Sequence, residues 1–272
     1  MRPCFCIFSQ LITVFDEKSP KQRENIEYNS ETCYDADRKH TPEHNGKEGW
    51  NMLFLIPLCL ALAAFFLRQE FREKYVGAVA LKGLASACFV LLGALASPGT
   101  EIARLIVVGL VLGCAADVLL NLRWVFEKKG QLIFLVGILV FLAGHVLYLA
   151  AILPLCENRL VCCLLGVVLT ALLMMWIFKR ISAKKAFKIF GVVYIGAVVL
   201  LNCVAAANLI AAPSAFGALF AAGALFFLAS DVVLILNTFG SETKRSLRVT
   251  NIMLYYVGQL LIALSLLYVV GK

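Results

Sequence analysis

The sequence predicts an all-α integral membrane protein, an eight-helix transmembrane bundle. Three observations carry that prediction. Of 272 residues 61% are hydrophobic and only 15% charged, and the mean hydropathy is +0.87. Apolar stretches of about 18 residues recur, each long enough at about 1.5 Å per residue to cross a hydrocarbon core of about 30 Å. A membrane β-barrel would instead show short segments of alternating polarity. The third observation is the loop charge described below.

The first 51 residues differ from the rest. They hold nine of the 17 acids and seven of the 25 Lys and Arg, a balance of −2 that leaves +10 on the remainder. With so little to bury, 1–51 is expected to be a disordered polar extension. Its start, MRPCFCIFSQLITVF, lacks a small-residue cleavage site and so reads poorly as a signal peptide. Residues 52–272 form the membrane domain, with spans expected at 52–67, 75–97, 102–122, 131–155, 160–178, 186–212, 214–237 and 249–270. The first is the shortest.

The charge of the connections alternates. Those after spans one, three, five and seven carry fourteen Lys and Arg. The even connections and the C-terminus carry Arg104, Arg159 and Lys272. Positive loops stay cytoplasmic, so the odd connections are expected in the cytosol and both termini on the far side. Such flanking charge calls for no nucleic-acid partner. A bacterial inner membrane and an endoplasmic reticulum would read alike.

The cysteines do not announce a metal or a disulfide framework. Cys59, Cys88, Cys114, Cys162, Cys163 and Cys203 lie within apolar spans, where cysteine packs as a small hydrophobe, and no CxxC occurs. Of three histidines only His145 lies in a span, so no metal cluster and no cofactor are expected.

Two strings, AADVLLNL at 115–122 and ASDVVLIL at 229–236, each place an aspartate inside an apolar run. Asp117 and Asp231 are the only aspartates after residue 51 and lie 114 residues apart. The same offset aligns Gly144 with Gly258, His145 with Gln259, Lys74 with Lys188 and Gly77 with Gly191. That constancy predicts two parallel four-helix repeats related by an axis along the membrane normal.

A carboxylate at a helix centre costs about 2.5–3.5 kcal/mol on insertion scales and usually faces the bundle interior. Depth strengthens the case. Asp117, Asp231, Lys82, Tyr194, Tyr255, Tyr256 and Gln259 all fall about 8–15 Å below the basic end of their spans. Gly109, Gly113, Asp117 and Asn121 form one stripe at four-residue spacing. Tyr255 shares a face with Gln259, and His145 lies near Tyr148, deeper in the membrane. His145 reads first as a structural hydrogen-bonder. Tyr255 and Tyr256 read either as interfacial belt residues or as part of the site. The aspartates read as structural hydrogen-bonders or as a functional pair. Two acids exceed the single charge of Lys82, so, if they share a cavity, one of them is expected to be protonated.

One protonated and one ionised carboxyl make the acid–base pair that cleaves acetal-like bonds through an oxocarbenium-like transition state. The patterns G-x-S-x-G and H-E-x-x-H and a P-loop are absent from the sequence. A proton-coupled transporter using the same aspartates is the rival reading, and a non-catalytic scaffold the third.

Over residues 52–272 the chain resembles the YhhN family of transmembrane lysoplasmalogenases. The resemblance rests on Lys82, AADVLLNL, GHVLY, Tyr194, ASDVVLIL and YYVGQLLIALS, in this order on eight spans. Ala116 stands where the family usually has glycine, and Gly258 where it usually has alanine. The resemblance implies hydrolysis of the vinyl ether bond of a lysoplasmalogen substrate, with Asp117 and Asp231 catalytic. Lys82, Asn121, His145, Tyr148, Tyr194, Tyr255, Tyr256 and Gln259 would bind substrate or support the acids, with Lys82 either holding the phosphate or setting the charge of the pair.

Overall fold

The computed structural model describes residues 52–183 and 185–269, and the expected disordered tail lies outside them. The described residues form eight α-helices: α1 (Leu55–Glu70), α2 (Tyr75–Ala96), α3 (Glu101–Leu122), α4 (Gly130–Ile152), α5 (Arg159–Phe178), α6 (Lys185–Ala211), α7 (Ala215–Phe239) and α8 (Arg245–Ser265). Short 3-10 turns follow α4 and α8 and precede α4.

Seven of these helices are long and apolar enough to cross a membrane. The first, α1, has 16 residues and reaches about 24 Å, shorter than a full crossing. It also begins and ends three residues later than its hydropathy suggests, and Glu70 at its last turn is held by Arg248 of α8. The same ion pair explains why α8 starts four residues before its apolar run.

Helices adjacent in sequence pack side by side from α1 to α4 and again from α5 to α8, while α2 with α8 and α4 with α6 join the two runs. Leu160, Leu164, Val167 and Val168 of α5 are exposed, as a lipid-facing surface requires. Phe66, Phe89, Tyr148, Phe220, Phe227 and Tyr256 fill the interior.

The offset of 114 residues reappears in the packing. Thr100 caps α3 by accepting the Ala103 N–H at 3.3 Å, and Ser214 caps α7 by accepting the Gly217 N–H at 3.1 Å. Where α3 crosses α4, Gly109 and Gly144 meet; a Cβ on either would lie 3.1 Å from the other's carbonyl oxygen. Where α7 crosses α8, the matching positions Gly223 and Gly258 meet still more closely, at 2.7 and 2.9 Å. Small residues let backbones approach in this way, and each crossing fixes a helix pair. The corresponding residues Phe141 and Tyr255 touch each other edge to face, with ring centres 5.9 Å apart.

The odd connections share one end of the bundle. Ser182 N–H donates to the Phe239 carbonyl at 2.8 Å, tying the α5–α6 connection to the end of α7. Arg248 ties the end of α1 to the start of α8, and the α3–α4 connection lines the same vestibule. The basic loops therefore converge at a single face.

Candidate active site beneath the basic end

The stripe on α3 points inward. Gly113 leaves room for α8 side chains: a Cβ there would lie 3.4 Å from Gln259 Nε2 and 3.9 Å from the Tyr255 hydroxyl. One turn further on, Asp117 is 1% exposed. Its Oδ1 pairs with Lys82 Nζ at 2.9 Å. Its Oδ2 accepts hydrogen bonds from Ser86 Oγ at 2.5 Å and from the Tyr255 hydroxyl at 2.6 Å. Lys82 and Ser86 stand one turn apart on α2, so a single helix face delivers both the cation and a hydroxyl. Tyr256 closes the group from behind, its hydroxyl 3.3 Å from both Ser86 Oγ and the Lys82 carbonyl. The Asn121 amide donates to the Asp117 carbonyl at 3.1 Å.

Asp231 is also buried, at 5% exposure, but its surroundings are sparse. Its Oδ2 accepts from the Tyr194 hydroxyl at 2.8 Å, and among the described residues no cation pairs with it. Its neighbour Ser230 is fixed by Asn251, whose amide donates to the Ser230 carbonyl at 3.0 Å and to its Oγ at 2.9 Å.

Both aspartates line one cavity of about 120 Å³, with Lys82, Asn121, Tyr194 and Tyr255. The rest of its wall is mostly apolar, including Phe134, Ile138, Phe187, Phe190 and Phe227. Phe190 lines the cavity and is also 36% exposed on α6. Toward the basic end the cavity shares Arg123, Phe134, Phe187, Arg248 and Asn251 with a vestibule of about 810 Å³.

Four expected site residues lie behind this wall instead. Tyr256 contacts the Asp117 group from outside the cavity. The Tyr148 hydroxyl donates to Gln259 Oε1 at 3.0 Å. His145 Nδ1 lies 2.8 Å from the Phe141 carbonyl and donates to it, and the buried Nε2 has no partner. The imidazole packs on Phe227 at 4.3 Å between ring centres and touches the Tyr194 and Tyr148 rings edge-on. Depth along the span does not decide which way a side chain faces.

Ser86 was not anticipated, although its place one turn after Lys82 was a usable signal. The bidentate Arg248–Glu70 pair, at 2.7 and 3.0 Å, joins residues 178 apart, which no local pattern reveals. Asn251, Ser230 and Arg123 were also missed; the loop cations had been read only for orientation.

Compared with known proteins, the model of the YhhN family matches residues 77–266. No curated protein and no solved structure matches the chain.

Proposed function

Because the chain belongs to the YhhN family, we propose that it is a membrane-embedded hydrolase cleaving the vinyl ether bond of lysoplasmalogens. The products are a fatty aldehyde and glycerophospho-ethanolamine or -choline. The observation that carries this reading is the unequal pair of buried carboxyl groups in one cavity. Asp117 has an ammonium and two hydroxyl donors directed at its carboxylate. Asp231 has one phenol and no paired cation, an environment that supports the neutral acid.

In the proposed reaction Asp231 gives its proton to the β-carbon of the vinyl ether, leaving an oxocarbenium ion. The carboxylate of Asp117 stabilises that cation across the cavity. Water adds to the cationic carbon, and the Asp231 carboxylate takes the released proton, restoring the acid. The hemiacetal then collapses to aldehyde and the free glycerol hydroxyl. Lys82 sets the charge of the pair rather than holding phosphate, since its Nζ is engaged by Asp117. The apolar wall with Phe134, Phe187 and Phe190 accommodates the alkenyl chain.

The connection of the acid cavity with a vestibule at the basic end supports an enzyme over the transporter reading, which requires passage to both faces. By the positive-inside rule that end faces the cytosol. We further infer that the halves descend from one four-helix unit, supported by the paired caps and glycine crossings at a constant offset. Purified protein incubated with lysoplasmalogen tests the activity. Aldehyde release is expected, and its absence under conditions where the protein stays folded would sink the hydrolase reading.

A further inference from the structure

Arg123 differs from Arg245, another vestibule cation without an acid partner among the described residues, in being partly buried rather than exposed. It follows Leu122 at the end of α3 and lines both the acid cavity and the vestibule. Its guanidinium lies 4.8 Å from the Trp124 ring centre and 4.5 Å from that of Phe134, which fixes its orientation. Among the described residues its buried Nε has no hydrogen-bond partner. Arg248 is neutralised by Glu70 and bound to Asn251, and Lys244 pairs with Glu242. Among the described residues Arg123 pairs with no acid. Burial, reinforced by nearby Arg248, pushes its guanidinium down to about 10, so it remains a cation at neutral pH. Glu70, committed to Arg248, acts on it only at a distance, and a half-buried cation without a directly paired acid is unfavourable until an anion arrives.

Register favours a particular anion. Arg123 follows Asp117 by six residues, about 9 Å along the helix axis. The long Arg123 side chain together with the glycerol unit between the phosphorus and the C1 oxygen of a lysophospholipid can bridge that rise. The matching position in the second half is Asn237, whose Oδ1 instead accepts the Lys244 N–H at 2.7 Å. A pseudosymmetric cavity would otherwise admit a substrate either way round.

We propose that Arg123 binds the phosphodiester of the lysophospholipid and sets its direction, so that the bond at glycerol C1 falls between Asp117 and Asp231. The assignment rests on the hydrolase reading for its reacting bond, but phosphate binding can be tested without turnover.

Full-length protein in detergent is titrated by calorimetry with a non-hydrolysable 1-alkyl lysophosphoethanolamine, with 1-alkylglycerol and with inorganic phosphate. The wild type is expected to bind the lysophospholipid roughly 10- to 100-fold more tightly than the alkylglycerol, the size of a charge-assisted contact. In R123Q that preference disappears while alkylglycerol binding holds. If R123Q loses alkylglycerol binding as well, R123K decides: it must weaken the lysophospholipid alone, since an ammonium lacks the guanidinium fork. A preference that survives R123Q, or is untouched in R123K, overturns the assignment. So does Arg123-dependent binding of inorganic phosphate with both lipids bound alike, which would mark a free-anion site. Failure to release aldehyde from lysoplasmalogen would remove the hydrolase reading and leave the binding result standing.

Discussion

Asp117 and Asp231 occupy matching positions on α3 and α7, yet their neighbours have diverged. The positions that correspond to Lys82, Ser86 and Tyr255 in the other half are Gly196, Leu200 and Phe141, none of which can donate from a side chain. The position that corresponds to Tyr194 is Ala80. Asp117 therefore has a cation and two hydroxyls around it, one of them reaching across from α8, whereas Asp231 has a single phenol. Helices α3 and α7 each supply one acid to the cavity. The side chains around them give each a separate chemical task, here proposed to be the fixed negative charge and the mobile proton.

The largest expected effect tests that division directly. Asp231→Asn should lower aldehyde release by roughly 100- to 10,000-fold, the range for a lost general acid, with little change in thermal unfolding. Near-wild-type turnover would break the comparison at its centre. Lys82→Met should cost about 3–5 kcal/mol of stability, because it leaves Asp117 buried and unpaired. Adding Asp117→Asn should restore much of that stability and no activity; denaturation midpoints with parallel assays distinguish the two. If Lys82→Met unfolds no more readily than Asp231→Asn, the two acids do not differ as described.

The glycine crossings sharpen the comparison at the level of packing. Gly258→Ala places a methyl 2.9 Å from the Gly223 carbonyl and 3.1 Å from Phe227 N, an overpacking worth about 1–3 kcal/mol. Melting temperature in detergent should fall accordingly, and an unchanged value would mean that α7 and α8 are not held this close. The smallest effect is expected for Tyr194→Phe. It removes one hydrogen bond from Asp231, about 1 kcal/mol, and should slow turnover several-fold without loss of fold. A 1,000-fold loss would instead give the phenol a direct part in proton transfer.

Much of the bundle was legible in the sequence because lipid imposes a simple demand, a long apolar helix for every crossing. Helix ends set by tertiary contact were not, as Glu70 and Arg248 show by extending α1 and starting α8 early. For the site, a costly carboxylate in an apolar run identified Asp117 and Asp231, and common depth identified Lys82, Tyr194 and Tyr255. Depth carries no information about azimuth, so Tyr256 and Gln259 were gathered with the cavity residues although they buttress it from behind, as do His145 and Tyr148, which lie deeper. Arg123 failed to stand out for another reason. A cation at a helix end is ordinary in a membrane protein; burial without a paired acid among the described residues is what makes this one unusual.

Phe190 touches the acid cavity and also reaches the outer surface of α6, while Arg123 and Arg248 open the same cavity toward the vestibule. The chamber thus borders oil on one side and water on the other. On the hydrolase reading its two products differ in the phase that dissolves them. The aldehyde leaves by extraction into the bilayer, and the glycerophospho-headgroup leaves by dilution into the aqueous compartment. Each product can therefore leave directly into the phase that dissolves it, and rebinding would require both to return from separate solvents.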